Sequence, residues 1–138
     1  MKAQIRWIEN VCFLGEAESG HGLLLDGAPE GGGQNRGFRP MELLLIGLGG
    51  CTAFDVVQIL KKTRQDIKDC QVFIEAERAP TTPKVFTKIH LHFVVKGKNI
   101  SSEQVRKAID LSAGKYCSAS KMFEKTAQIS HDFEILDD

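Results

Sequence analysis

Residues 40–62 read PMELLLIGLGGCTAFDVVQILKK, and this stretch decides the fold. A proline suits the first turn of a helix, and Lys61, Lys62 and Arg64 complement the negative end of a helix dipole, so the spacing predicts one helix from Pro40 to about Lys62. At about 1.5 Å per residue it runs roughly 35 Å, comparable to the diameter of a domain of this size. Successive residues turn by about 100°, so Met41, Leu43, Leu44, Leu45, Ile46, Leu48, Phe54, Val56, Val57, Ile59 and Leu60 point in nearly every direction and leave no broad polar face. The expectation is a helix buried all round. A membrane span is the rival reading. Glu42, Asp55 and Gln58 lie inside the apolar window, where each is costly in lipid, and the rest of the chain reads as a soluble domain.

Outward from the helix the pattern changes to strands. On the N-terminal side, Ile5 and Trp7 alternate with polar neighbours, Val11 and Phe13 repeat the period, and Leu23 to Leu25 follow a Ser-Gly-His-Gly turn, which predicts an antiparallel meander. Residues 27–39, GAPEGGGQNRGFR, hold five glycines and no apolar period, so a bent or flexible loop joins meander to helix. The loop lacks the GK[ST] ending and the strand-GxGxxG-helix context of a phosphate cradle. On the C-terminal side, Cys70, Val72, Ile74 and Ala76 share one face of a strand, and Val85, Ile89, Leu91, Phe93 and Val95 define a second across an Ala-Pro-Thr-Thr-Pro connection. An amphipathic helix over 101–113 follows, capped by Ser101 or Ser102 and burying Val105, Ala108 and Ile109. A short helix starts near Cys117, and Ile129, Phe133 and Ile135 mark a closing strand. The order, β-rich meander, long helix, ββααβ, is that of an α+β protein.

The 138 residues suit a single domain spanning 1–138, with 42% hydrophobic and 26% charged residues. Eighteen basic residues balance eighteen acidic ones, so no global field draws the chain to nucleic acid or to anionic membranes. One chain offers too little sheet to wrap a helix that is apolar on every side. Two chains supply two sheets, so the expected assembly is a homodimer with the long helices packed centrally, Gly47, Gly49 and Gly50 allowing close approach.

The N-terminal residues MKAQIRWIEN lack the apolar run of a secretory signal, so a cytoplasmic setting is expected, where Cys12, Cys51, Cys70 and Cys117 remain thiols or serve in redox chemistry. No CxxC or Cys/His spacing suggests a metal, and no cofactor motif is present. Cys51 lies mid-helix with Asp55 and Gln58 within about 40° of it on the helical wheel, a polar edge on an apolar rod. It reads either as a small core residue or as a working thiol. Cys117 follows Lys115 and precedes Lys121 at a helix start, a setting that lowers a thiol pKa. Cys12 and Cys70 read as core. His90 and His92 share a strand face, where a solvated surface outweighs a metal pair without a third ligand, and His131 reads as a core histidine.

The stretch RPMELLLIGLGGCTAFDVVQIL, followed 66 residues after Cys51 by KYCSAS, resembles the two-cysteine signature of the OsmC/Ohr family, specifically its YhfA-like branch, and the likeness covers essentially the whole chain. The resemblance implies an intertwined homodimer and thiol-dependent reduction of hydroperoxides, often organic ones. By position, Cys51 resembles the peroxidatic cysteine and Cys117 the resolving one. The implied cycle is attack by the Cys51 thiolate, a sulfenic acid, capture by Cys117 as a disulfide, and regeneration by a dithiol. In the hydroperoxidase branches a Glu directly follows the helix-opening Pro and pairs with an Arg of the N-terminal sheet. Here Met41 stands at the first position and His21 is nearest the second. Glu42 is one residue late, about 180° from Cys51 around the helix, so as an activating group it would serve only through a distorted helix or the partner chain. Arg39, Arg36 or Asp55 are the remaining candidates for an activating or substrate-binding group. The rival from another class is a non-catalytic dimeric module that holds an apolar ligand at the dimer interface, lined by Leu44 and Leu48.

Overall fold

The computed structural model describes all 138 residues, arranged as two compact units, Met1–Ile46 and Gly47–Asp138. In the first, β1 (Ala3–Glu9), β2 (Cys12–Ala17) and β3 (Gly22–Leu25) form the expected antiparallel meander in the order β1-β2-β3. Phe13 stands opposite Trp7 on β1 and Leu25 on β3. Ile5 and Trp7 remain exposed along β1.

The Gly-rich segment that follows is organised by one carboxylate. Asp26 is buried, and its two oxygens accept backbone N–H groups from Gly27 (2.7 Å), Gln34 (3.3 Å) and Arg36 (3.1 Å). Burial alone pushes its pKa up, but these three donors and the Arg36 charge outweigh it and hold the carboxyl below its ordinary range. A single 3-10 turn, Pro29–Gly31, lies within the segment. Glycine is required at 33, where a Cβ would collide with the Gly27 carbonyl.

Helix α1 spans Pro40–Lys62, as its proline start and lysine end predict. Its burial differs from the expectation. Only Leu48, Gly49, Thr52, Val56 and Leu60 are buried, one stripe at four-residue spacing. Phe54 is 66% exposed, and Leu44 and Ile46 are about half exposed. The helix is apolar on all sides, yet its own chain covers a single face. Gly49 belongs to that face, because a Cβ there would lie 2.7 Å from Ile74 Cδ1 of the following strand. Gly47 and Gly50 face open space instead.

The second unit carries a three-stranded sheet ordered β4-β5-β6, from β4 (Asp66–Arg78), β5 (Phe86–Lys98) and β6 (Gln128–Asp137). β4 and β5 are an antiparallel hairpin in which Cys70, Val72, Ile74 and Ala76 stand opposite Val95, Phe93, Leu91 and Ile89. β6 joins β5 in parallel, aligning Ile129 with Ile89 and Phe133 with Phe93. Parallel pairing needs a crossover, supplied by α2 (Ser102–Leu111), one π-helical turn (Ser112–Tyr116) and α3 (Ser118–Phe123). Ser101 caps α2 by accepting the Gln104 N–H, and Val105, Ala108 and Ile109 are buried, as the pattern predicts. The helix stops at Leu111, two residues early, where the π turn begins.

His131 departs from expectation. It is exposed, with Nε2 3.7 Å from Asp110 Oδ1, because β6 is an edge strand and its ring reaches the rim of α2 rather than the core. Cys12 is buried, while Cys70 is half-buried on the inner face of β4.

Candidate functional site

Two sulfurs far apart in sequence meet in the second unit. Cys51 projects from the middle of α1 and is half-buried, and Cys117 caps α3 and is fully buried. Cys51 lies close enough to Cys117 to raise its pKa, and the next residue, Thr52, bonds Ser112 (2.9 Å), whose carbonyl holds the Cys117 N–H (2.8 Å). Sequence separates them by 66 residues; the crossover from β5 to β6 brings them together.

The thiol of Cys117 is not lowered as its neighbours in sequence suggest. Burial pushes its pKa up, and this outweighs the hydrogen bonds from Ser120, whose backbone N–H donates to Sγ at 3.3 Å. Hydrogen bonding to Cys51, and the charge Cys51 carries when ionised, raise it further. The two nearby lysines point elsewhere: Lys115 Nζ lies 5.3 Å from the centre of the Tyr116 ring, and Lys121 pairs with Glu124 at 3.2 Å. Burial and the nearby Cys51 together favour the thiol form of Cys117.

Beside the thiols runs a chain of hydroxyl groups. Asp55, one turn beyond Cys51, accepts the Ser112 hydroxyl proton at Oδ2 (2.9 Å). With that proton committed, the Thr52 hydroxyl donates to Ser112 Oγ (2.9 Å). The backbone carbonyl of Ser112 accepts the Cys117 N–H at 2.8 Å. Thr52, Ser112 and Ser120 are buried polar residues that no motif singles out. A signal was nonetheless present. Thr52 falls on the Leu48, Val56, Leu60 stripe and Ser112 on the Val105, Ala108, Ile109 stripe, each a hydroxyl where the period calls for an apolar side chain.

Glu42, Arg39 and Arg36 belong to the first unit and have partners there. Glu42 Oε1 accepts the Arg39 backbone N–H at 2.8 Å, the returning half of a capping box at the start of α1. The Arg39 guanidinium donates to Asn35 Oδ1 (2.9 Å) and the Gly37 carbonyl (3.2 Å), and Arg36 pairs with Glu9 at 2.6 Å. Asp55 is the one charged candidate in the same unit as both cysteines. His21 is bonded to Ser19 (3.1 Å). Leu48 is fully buried in its own chain and so is not free to line a ligand pocket, whereas Leu44 is exposed.

His90 and His92 lie on the outer face of the sheet. Their rings contact Asp132 Oδ1 at 3.0 and 2.7 Å, with Ser130 and Glu134 as further partners. Asp132 and then Glu134 raise the pKa of His92 against slight burial, and His92 chiefly lowers that of Asp132. No three His, Cys, Asp or Glu side chains are grouped so as to hold a metal ion.

Comparison with known proteins gives this arrangement a context. A family model described as OsmC-like protein matches residues 31–132. Protein YhfA of Escherichia coli strain K12 is 45% identical over 136 residues, covering 99% of this chain and 98% of the relative. The crystal structure of a hypothetical protein from Aquifex aeolicus superposes with a TM-score of 0.87 at 28% identity, covering 99% of this chain and 96% of that one. The organic hydroperoxide resistance protein OhrB of Bacillus subtilis shares the fold, with a TM-score of 0.66 at 17% identity and 96% of each chain covered.

Proposed function

This chain belongs to the OsmC-like protein family, and from that premise we propose that it is a thiol-dependent reductant of organic hydroperoxides, with Cys51 as the attacking sulfur and Cys117 as the resolving one. The observation that carries the proposal is the nearness of these two thiols, one half-buried and one fully buried, on segments tied together through Thr52, Asp55 and Ser112. The Bacillus subtilis neighbour is named for organic hydroperoxide resistance, which makes that class the substrate to test first.

In the first step the Cys51 thiolate attacks the peroxide oxygen. The O–O bond breaks, the alkoxide takes a proton and leaves as an alcohol, and Cys51 becomes a sulfenic acid. In the second step the Cys117 sulfur attacks that of Cys51; an S–S bond forms, the S–O bond breaks, and hydroxide leaves as water with the thiol proton. An external dithiol then returns both sulfurs to thiols.

The assembly we propose is a homodimer. Its support is the uncovered side of α1, where Gly47, Gly50 and Phe54 lie opposite the buried stripe. Four unpaired cysteines suit a reducing, cytoplasmic compartment. The deciding experiment treats reduced protein with one equivalent of cumene hydroperoxide. Two thiols should disappear and peptide mapping should find Cys51 joined to Cys117. If Cys51→Ser consumes peroxide as fast as the parent, the reading is wrong.

A further inference from the structure

We infer that Asp55 and Ser112 form a latch that positions the resolving cysteine, an inference resting on the redox reading above. The two ends of the latch sit on the two segments that carry the sulfurs. Asp55 follows Cys51 by one turn of α1, and Ser112 opens the π turn that ends at Cys117. The side chain of Ser112 binds Asp55 Oδ2 at 2.9 Å while its backbone carbonyl holds the Cys117 N–H at 2.8 Å. One residue thus ties the α1 side of the site directly to the backbone of the resolving cysteine.

The physical setting makes this tie matter. Ser112 is fully buried, so water cannot replace a lost partner, and the acceptor is a carboxylate, which strengthens the bond. Thr52 donates to the same hydroxyl and fixes its orientation, so the Ser112 proton points at Asp55 and nowhere else. A π turn is a rare irregularity in a helical segment, and such turns recur at functional sites.

The consequence is a division between the two chemical steps. Attack on peroxide involves Cys51 alone. Capture requires the Cys117 sulfur to reach the Cys51 sulfenic acid, form the S–S bond and release water, so it depends on the fraction of time the π turn is docked. Asp55 and Ser112 touch no reacting atom and are positioning residues. An undocked turn leaves the sulfenic acid waiting, open to a second peroxide and conversion to sulfinic acid.

The test compares the parent with Ser112→Ala, Asp55→Ala and Asp55→Asn, each first confirmed as folded by circular dichroism. With one equivalent of cumene hydroperoxide, Ser112→Ala should consume peroxide within about twofold of the parent rate. Its disulfide should close about ten- to a hundredfold more slowly, the range set by one charge-assisted hydrogen bond. Dimedone should trap Cys51 sulfenic acid in Ser112→Ala and Asp55→Ala but scarcely in the parent. Asp55→Asn keeps an acceptor oxygen and should restore most of the closure rate. In reduced protein without peroxide, iodoacetamide should reach Cys117 at least tenfold faster in Ser112→Ala. Parent-like closure together with parent-like alkylation overturns the latch, as does equal loss of both steps. A parent protein that leaves Cys51 unoxidised overturns the redox reading instead, and the alkylation rates then judge the latch alone.

Discussion

Replacing Phe54 by alanine separates the fold of one chain from the assembly of two. Phe54 is 66% exposed on α1, about 170° around the helix from the middle of the buried stripe. A phenylalanine carries roughly 200 Å² of surface, so about 130 Å² is free for a partner, and an alanine methyl retains about a third of that. The roughly 90 Å² lost is worth about 2 kcal/mol at 25 cal/mol per Å², and twofold symmetry counts it twice. The proposed dimer should weaken by up to about 4.5 kcal/mol, about three orders of magnitude in dissociation constant. Sedimentation velocity from nanomolar to hundred-micromolar protein reads the shift directly. Far-ultraviolet circular dichroism should show the helix intact, because alanine is the better helix former. The melting temperature of the parent should rise with concentration, and that of the variant should do so only at higher concentration. A parent protein that sediments as a monomer at micromolar concentration, or a variant that dissociates where the parent does, refutes the reasoning.

Leu60→Ala, on the buried stripe of the same helix, should instead lower the unfolding free energy by about 2–5 kcal/mol, measured by urea titration at fixed protein concentration. The His92–Asp132 contact predicts a pH window. Because the folded His92 pKa is raised above the ordinary imidazole value of 6.5, its contribution is complete below that value and is lost as pH climbs through the folded one. The Asp132 pKa is lowered from 3.8, so its contribution is present above 3.8 and disappears as pH falls through the folded value. Urea midpoints should therefore drop more between pH 6 and pH 9 in the parent than in His92→Gln; equal slopes would contradict the assignment. Asp26→Asn replaces one of two acceptor oxygens with a donor facing backbone N–H groups, so the amides of Gln34 and Arg36 should exchange hydrogen faster while β5 stays protected.

The elements were legible because their signals are local. Pro40 and the lysine pair mark the ends of α1, and the period-two alternation of β4 and β5 puts Ile74 opposite Leu91 on the inner face. What failed depends on which surface covers another. The all-round hydrophobicity of α1 states a demand for cover, but only coordinates show that the chain meets it on one face. Lys115 and Lys121 flank Cys117 in sequence, yet an aromatic ring and a glutamate claim them, so burial decides the thiol. The cysteine pair itself came from a motif resemblance. The role of Ser112 is not legible in the sequence because it depends on a contact 57 residues away, although its place on the apolar stripe of α2 is a clue.

The parallel pairing of β6 with β5 also dictates when the site comes into being. The β4–β5 hairpin needs only neighbouring residues and can zip as soon as it is synthesised, whereas the last strand must wait for the whole crossover and then add itself to the far edge. During translation the first sulfur leaves the ribosome long before the second, and the segment bearing the second is anchored only once β6 is free. A nascent chain therefore travels through its early life with its two thiols unacquainted, and they are held together only when β6 has joined the sheet.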